Sequence, residues 1–463
     1  MKTENNILGT EKISKLLVKF AIPSVISMLV NSIYNLVDQI FIGQGIGKEG
    51  NAATNIAFPF VTIALALGLM VSIGTAANMS LSLGRKQQEK ADKTIANGLC
   101  LGFLVGVIVL IVGEIFMTPL LHVFGATDVI LPFATDYSRV YLLGTPFMIL
   151  GIIMSDMIRA DGSPTFAMTM MLVGAILNCV LDPLYIFVFH WGMKGAALAT
   201  ITGQFINCMI GLSYIVSKRL KTVTFKTSNL KLDGAISKGI LGLGLSAFIT
   251  QSAALVMQIV LNQQAKTYGA ASIYGAETPL AVFGIVMKVN NIMMSVIIGI
   301  TSSTQPIFGY NYGAKNYKRV KEIFKLALVI AFAVGIIGTF CFQMFPEQIV
   351  SIFGQEDKLY TEFAILCMRN MTIFISVMSI QLLSSTYFQA VSKAGKAIVL
   401  SLSRQIIFLI PMLLILPKFF GLLGIMYAFP GSDLCVVVLA TTMIVIEFKH
   451  MNQLIAQQKG QTA

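Results

Sequence analysis

The stretch FAIPSVISMLVNSIYNLVDQIFIG, residues 20–43, is long and apolar enough to cross a bilayer, yet it carries one carboxylate, Asp38. A membrane-spanning helix needs about 20 predominantly apolar residues. A charged side chain in the middle of such a helix costs roughly 2.5–3.5 kcal/mol on insertion scales. The stretch therefore predicts a membrane helix in which Asp38 has a function that offsets this cost.

The composition places the whole chain in the same environment as this stretch. Of its 463 residues, 56% are hydrophobic and 12% are charged, and the mean hydropathy is +0.80. A water-soluble protein could not bury so much apolar surface. Long apolar runs without ten-residue alternation predict an all-α polytopic membrane protein rather than a β-barrel. The twelve predicted spans are 16–42, 54–83, 95–117, 129–158, 164–189, 192–216, 236–264, 278–309, 324–345, 361–389, 396–417 and 420–448.

Basic residues are distributed unevenly among the segments that join these spans. With the N-terminus inside, the cytoplasmic segments hold 24 of the 33 Lys and Arg residues, and the outer segments hold six. The remaining three, Lys288, Arg369 and Arg404, fall inside spans. This bias follows the positive-inside rule and predicts that both termini are cytoplasmic. The net charge of +12 therefore reflects membrane topology and not nucleic-acid binding.

The chain contains an internal repeat with an offset of about 229 residues. GRKQQEKADKT (84–94) follows the second span and GAKNYKRVKEI (313–323) follows the eighth, and the same offset aligns GMKGAALA (192–199) with GLLGIMYA (421–428). The repeat predicts an N-terminal six-helix lobe (1–217), a cytoplasmic basic linker (218–234) and a C-terminal six-helix lobe (235–463). An even number of spans in each half gives both lobes the same orientation, related by a pseudo-two-fold axis along the membrane normal, which is a plan that transporters use.

Catalytic groups are scarce in the sequence. The three histidines, His122, His190 and His450, fall near loops or the chain end and form no nucleophile–base pattern. We therefore expect a transporter and not an enzyme, although a membrane-embedded enzyme remains a less favoured alternative.

Two embedded carboxylates of the first half are predicted to lie at the same depth. Asp38 follows Lys19 by 19 residues in an outward-running helix, about 28 Å along its axis. Asp182 follows Pro164 by 18 residues in another outward-running helix, about 27 Å along. Both should therefore lie toward the outer side of the first lobe.

Other oxygen-bearing side chains can reach the same layer as these carboxylates. They lie one turn before an acid or early in the inward-running fourth and sixth spans, and they are Tyr34, Asn178, Tyr137 and Thr200. Such a set suits a hard cation such as Na⁺, or a proton shared between two acids that resist ionising together. The alternative is that both acids merely mark the outer water interface.

The second half carries different embedded charges. Asp433 lies about twelve residues into the last span, beside Pro430 and Gly431, and broken helices are tolerated where backbone lines a cavity. Lys288 and Arg404 each lie about ten residues into their spans. These basic residues either form structural ion pairs with Asp433 or Asp156, or line a cavity.

At these residues the chain resembles the multidrug and toxic compound extrusion (MATE) transporters over essentially its whole length, and most of all the bacterial MepA-like branch. The resemblance rests on YNLVDQIFIG (34–43), RADGSP (159–164), NCVLDPLYIF (178–187), GMKGAALAT (192–200) and PIFGYNYGAKNYKRV (306–320). It implies a V-shaped, two-lobed, twelve-helix exporter of cationic amphipathic drugs in the bacterial cytoplasmic membrane. Transport would proceed by alternating access, in exchange for Na⁺ or H⁺.

The resemblance also implies roles for individual residues. The first-lobe cation site of the family falls on Asp38, Asn178, Asp182 and Thr200, with Tyr34 and Tyr137 nearby. An asparagine of the fourth helix is replaced by Ser155, next to Asp156, and a glutamate that some branches carry in the seventh helix falls near Gln251. The tenth span has no central acid, so a second-lobe cation site is not expected. For the substrate cavity we expect Ser155, Asp156 and Gln251, which lie at or near family positions. Lys288 and Asp433 join this set because of their positions inside the spans.

The main rival function is a flippase for lipid-linked saccharides from the same superfamily. It would share the twelve helices but would need a cationic cavity, for which Lys288, Arg369 and Arg404 are candidates. For the exporter we expect small-molecule cationic drugs and the lipid bilayer as partners, no nucleic acid, no cofactor beyond the coupling ion, and a monomer.

Overall fold

The computed structural model describes residues 7–275, 277–351 and 358–462, and these residues form helices joined by short connections, without a β-strand. Eleven helices of this part are long and apolar enough to cross a membrane, and a bent pair of helices supplies a twelfth span. The all-α polytopic fold with twelve spans is therefore confirmed.

The first half contains six of these helices. They are α1 (Ile13–Gly45), α2 (Lys48–Gly84), α3 (Gln88–Ile115), α4 (Leu131–Ala160), α5 (Pro164–Pro183) and α6 (Gly192–Val216). A π-helical turn, Leu184–Val188, extends α5. A short helix, Met117–Val123, connects α3 to the segment before α4.

The second half repeats this arrangement. Its helices are α7 (Gly234–Ala270), α8 (Glu277–Ser303, continued by Gln305–Gly313), α9 (Tyr317–Met344), α10 (Lys358–Met371 and Ile375–Ala390), α11 (Ala394–Phe420) and α12 (Leu422–Thr462). The two parts of α10 are bent by 46° relative to each other, inside the predicted span 361–389. The middle of α11, Ser403–Leu409, is a π-helix.

The first described residues, the end of α12 and the basic segments lie on one side of the molecule, which we call the basic side. The Asn311 side-chain amide donates to the Leu8 carbonyl, and Gln458 in α12 donates to the Lys315 carbonyl at the end of α8. The linker is held on the same side by a buried carboxylate: Asp161 accepts from Lys221 N–H at 2.6 Å and from Thr222 N–H at 2.7 Å. Burial raises the pKa of Asp161 above its ordinary value, while these donors favour its ionised form.

The two lobes meet through α2 against α7 and α1 against α8, and their apolar cores cross the boundary between the halves. Ile236 and Ile240 of α7 belong to the core of the first half, and Leu16 and Phe20 of α1 pack into a core of the second half. Glycines permit the closest approach, because a Cβ on Gly74 would lie 1.9 Å from the Ile240 carbonyl oxygen. A Cβ on Gly244 would lie 1.7 Å from the Met70 carbonyl oxygen. These contacts lie in the basic half and extend up to a hydrogen bond of 2.6 Å between the hydroxyls of Ser32 and Ser295.

Candidate functional site

Asp38 and Asp182 lie side by side between α1 and α5, near the ends of those helices that are remote from the basic side. Both side chains are buried, and Asp182 is completely inaccessible. Asp182 is followed by Pro183 and then by the π-helical turn, so the regular hydrogen-bonding pattern of the helix changes beside the carboxylate. π-Helical turns are frequent at functional sites.

The two carboxyl groups lie on packed helices, close enough for the charge of one to act on the other. Asp38 Oδ1 is buried and accepts no hydrogen bond. Two ionised carboxylates at this separation repel each other in a medium of low dielectric constant. The arrangement is therefore stable when a proton or a cation lies between the two groups.

Asn178 connects the acid pair to α6. In the amide orientation that satisfies both of its ends, the nitrogen donates to Asp182 Oδ2 at 3.2 Å. The amide oxygen then accepts from the hydroxyl of Thr200 at 3.3 Å and from its N–H at 3.2 Å. Asn178 thus links the acid pair to a third helix, α6.

Two tyrosines border this cluster, as the sequence predicted. Tyr34 is half-buried and Tyr137 is buried, and the electrostatic fields of both acids act on each phenol. The structure thus brings together all six residues predicted for the first-lobe site: Tyr34, Asp38, Tyr137, Asn178, Asp182 and Thr200.

Sequence reasoning missed two members of the surrounding shell. Tyr141 stacks on Tyr137 with ring centroids 5.9 Å apart, and its hydroxyl lies beside the Gln204 side chain. Both residues follow a predicted site residue by one helical turn, since Tyr141 follows Tyr137 and Gln204 follows Thr200. This i, i+4 relation was the signal that could have identified them.

The residues predicted for a substrate cavity do not form one cluster. In the first lobe, Asp156 accepts from Ser72 at 2.6 Å and pairs with Arg159 at 3.0 Å, so it joins α2 to α4. Ser155 beside it is buried, and its hydroxyl lacks a hydrogen-bond partner in the described structure. Gln251 in α7 is half-buried.

In the second lobe, Asp433 pairs with Arg404 at 3.5 Å, so Arg404 takes the structural role that the sequence left open. Lys288 is exposed and forms no ion pair with any residue of the described ranges. It lies two turns from Ser295 on the face of α8 that contacts α1.

The donor set fits an alkali cation or a proton better than a transition metal. Within the described ranges, no three His, Cys, Asp or Glu side chains approach one another closely enough to bind a metal ion. Carboxylate, amide, hydroxyl and phenol oxygens are ligands for hard cations.

Comparison with known proteins gives concordant matches. The sequence model of the MatE family matches residues 23–184 and 248–415, one segment in each half. The chain is 25% identical over 421 residues to Multidrug export protein MepA of Staphylococcus haemolyticus (strain JCSC1435), covering 90% of both chains. It is 26% identical over 417 residues to Multidrug export protein MepA of Staphylococcus aureus (strain bovine RF122 / ET3-1), covering 89% of both.

Solved structures resemble the chain over nearly its full length. A crystal structure of MATE in complex with MaL6 superposes with a TM-score of 0.91 at 24% identity, covering 96% of this chain and 99% of the other. The outward-facing conformation of a multidrug resistance MATE family transporter superposes with a TM-score of 0.90, again at 24% identity, with coverages of 96% and 98%. These likenesses establish the two-lobed, twelve-helix fold.

Proposed function

The chain belongs to the MatE family, and we propose that it is a secondary active multidrug exporter that exchanges cationic amphipathic compounds for Na⁺ or H⁺. The observation that carries this proposal is the buried pair of Asp38 and Asp182, in which Asp38 Oδ1 has no hydrogen-bond partner in the described structure. Two relatives named as multidrug export proteins support the export of drugs.

Binding of the coupling ion determines whether the carboxyl groups of Asp38 and Asp182 can stay close together. An entering cation or proton lowers the charge of the Asp38–Asp182 pair from −2 to −1, which removes the direct repulsion between two ionised carboxylates and lets α1, α5 and α6 pack around them through Asn178. Departure of the ion leaves two like charges whose repulsion favours a different packing of these helices. A ligand shifts such an equilibrium only by its differential affinity for the two states, and the acid pair supplies that difference.

The orientation of the chain follows from its charge bias. The basic side faces the cytoplasm of a bacterial cell, and both termini lie there. The lobes are joined on this side through α2 and α7, so the described arrangement is closed toward the cytoplasm and corresponds to an outward-facing state. The proposed unit is a monomer, because Asp38, Asp182 and the Asn178–Thr200 link all lie within one chain.

A lipid-linked saccharide flippase is less well supported. Such a protein needs clustered cations for phosphate groups, but Arg404 is already paired with Asp433. Arg369 is exposed on α10, where its carbonyl accepts from Gln343. Lys288 alone would have to bind a pyrophosphate inside the membrane. A membrane-embedded enzyme is disfavoured because the relatives and solved structures that the chain matches are named as export proteins or transporters.

The test is transport by purified protein in proteoliposomes with Na⁺ and pH gradients imposed independently. We expect that either the Na⁺ gradient or the pH gradient drives a fluorescent organic cation in the direction opposite to the ion. Without that gradient, the organic cation should not accumulate. Movement that ignores both gradients, or no movement of any cationic compound, would contradict the proposed antiport. Rescue of a lipid-carrier flippase defect without dye efflux would favour the rival function.

A further inference from the structure

The two repeated basic segments meet around one cavity on the basic side. Residues 84–87 of the first lobe and residues 312–315 and 317 of the second lobe line a space of about 440 Å³. The cavity lies at the opposite end of the molecule from Asp38 and Asp182, and the proposed ion exchange makes no use of it.

The backbone presents an equivalent lysine to the cavity from each lobe. Lys86 has φ +60° and Lys315 has φ +58°, and the two positions are 229 residues apart, which is the offset of the repeat. Each lysine follows the end of a helix, and the N–H of the residue after it donates to a carbonyl of that helix. Gln87 N–H donates to the Ser82 carbonyl at 2.9 Å, and Asn316 N–H donates to the Asn311 carbonyl at 2.8 Å. Glycine is the usual residue at this left-handed position, and Lys218 adopts it as well at the end of α6. Lys86 and Lys315 differ from Lys218 in that both line the cavity at equivalent positions of the repeat.

The cations of the cavity are not neutralised by the protein. Arg85, Lys86 and Lys315 are exposed, and none forms an ion pair with another residue of the described ranges. The neighbouring carboxylates are already bound elsewhere: Glu89 pairs with Lys93 at 2.7 Å, and Glu447 pairs with Lys393 and Lys396. The hydroxyl-bearing rings of Tyr312 and Tyr317 complete the wall and add hydrogen-bond donors.

Both walls are in place only when the lobes touch on this side. A Cβ on Gly84 would lie 2.0 Å from the Tyr310 carbonyl oxygen, and one on Gly313 would lie 2.4 Å from the Leu81 carbonyl oxygen. The ends of α2 and α8 are therefore in backbone contact at the cavity. Separation of the lobes on the basic side would dismantle it.

We propose that this cavity binds a phosphate group, carried by an anionic lipid headgroup or by a soluble phosphate, and that its occupancy stabilises the state closed on the basic side. A guanidinium fork matches phosphate geometry and lysines add point charges. The location suits a lipid source as well, since anionic lipids of the cytoplasmic leaflet concentrate at basic juxtamembrane segments. The binding site stands independently of ion exchange, whereas its effect on conformation rests on the proposed alternating access.

The test uses the full-length protein and the double substitution Lys86→Gln with Lys315→Gln. Its matched control is Lys226→Gln with Lys449→Gln, which removes two exposed lysines from the same side outside the cavity. Binding of inorganic phosphate is measured by calorimetry in a neutral detergent. Retention of phosphatidylglycerol against phosphatidylcholine is measured by native mass spectrometry.

Binding of at least one probe to the wild type is expected, with an affinity about tenfold lower in the double variant and unchanged in the control. Binding of phosphate alone would identify a soluble ligand, and binding of phosphatidylglycerol only would identify a headgroup. Equal losses in both double variants would show a general attraction to positive charge and overturn the proposal, as would a wild type that binds neither probe.

The conformational effect is measured separately with spin labels at Lys90 and Lys318, on opposite sides of the cavity. The bound probe should increase the population with the shorter distance in the wild type and not in the Lys86→Gln, Lys315→Gln background. An unchanged distance distribution would remove the conformational claim. Loss of drug export by the wild type in every lipid would instead contradict the proposed function and leave the binding result intact.

Discussion

At the scale of single residues, Asp38 and Asp182 act as one unit, because each limits the ionisation of the other. Asp38→Asn should therefore abolish gradient-driven export while the protein still folds and reaches the membrane. The amide keeps the shape and hydrogen-bonding capacity of the carboxyl group but cannot cycle a charge, and removing an embedded charge does not destabilise a span. The measurement is dye export in proteoliposomes at matched protein abundance, together with drug binding in detergent, which should survive at least in part.

The double variant and a surface control define this prediction further. Asp182→Asn should have the same effect, and the double variant should be little worse than either single one, because residues in one network are not additive. Asp136 pairs with Lys194 at 3.4 Å on the surface, so Asp136→Asn should leave export unchanged. Wild-type export by the Asp38→Asn protein would exclude this residue from the coupling mechanism.

The pair of Arg404 and Asp433 should behave as a buried ion pair of the second lobe. Asp433→Asn leaves the guanidinium without its partner and should lower the free energy of unfolding by roughly 1–3 kcal/mol. Arg404→Gln should do the same, whereas the double variant should recover most of the loss. Thermal unfolding in detergent measures these effects.

A surface ion pair provides the comparison for this second prediction. Arg139 and Glu114 lie 3.4 Å apart with the Arg139 side chain 64% exposed, so Glu114→Gln should change stability by less than about 1 kcal/mol. Additive losses in the Asp433→Asn, Arg404→Gln protein would show that the two residues do not depend on each other. Whether Asp433 also contacts substrate stays a prediction.

The members of the first-lobe cluster could be predicted because an acid in an apolar run is conspicuous, and helix geometry fixes its depth. Tyr141 and Gln204 could not, since a tyrosine or glutamine in a span is unremarkable until its neighbours are known. The sequence also could not show how the embedded charges pair. Asp156 pairs with Arg159 one turn along its own helix, while Asp433 pairs with Arg404 across two helices.

At the scale of helices, hydropathy predicted the twelve spans but not their internal irregularities. The bend of α10 between Met371 and Ile375 and the π-helix Ser403–Leu409 lie inside continuous apolar runs. Hydropathy reports the affinity of side chains for lipid and carries no information on backbone hydrogen bonding. It also underestimated α12, which extends to Thr462, because the last turns are polar and leave the bilayer.

The distance between α2 and α7 where they cross should increase when a single methyl group is added at the contact. Gly244→Ala should push the helices apart, because its Cβ would lie 1.7 Å from the Met70 carbonyl oxygen, which belongs to rigid backbone. Gly242→Ala, half a turn away, has no atom within 4 Å of the added Cβ and should stabilise the helix by about 1 kcal/mol. Thermal unfolding should therefore show opposite signs for the two variants.

The same pair of variants also distinguishes separation of the lobes from local strain. Spin labels at Lys90 in the first lobe and Lys238 in the second lobe report the distance between the two lobes on the basic side. This distance should increase in the Gly244→Ala protein and stay unchanged in the Gly242→Ala protein. An unaltered distance with normal stability in both would show that the contact between α2 and α7 is loose.

At the scale of the whole molecule, the internal repeat predicted two similar lobes, but no sequence feature predicted which faces of the lobes meet. Gly74 and Gly244 allow the backbones of α2 and α7 to contact each other, and a contact between backbones produces no hydrophobic pattern in the sequence. The repeat indicated that residues 84–94 and 313–323 are equivalent, and the structure adds that they are adjacent. Symmetry relates segments without determining their distance.

The last prediction concerns the orientation of the molecule in the membrane. In a variant whose six native cysteines have been replaced, single cysteines at Lys86, Lys226 and Lys318 should react with an impermeant thiol reagent only from the cytoplasmic side. These residues are exposed and represent the cavity, the linker and the start of α9. A cysteine at Lys266, exposed near the opposite end of α7, should react only from outside. Lys86 is the decisive position, because it lies beside the junction of the lobes: labelling there from outside intact cells would place the closed side of the molecule outside. It would also place the acid pair near the cytoplasmic end of the molecule and contradict the orientation in which the proposed exchange is described.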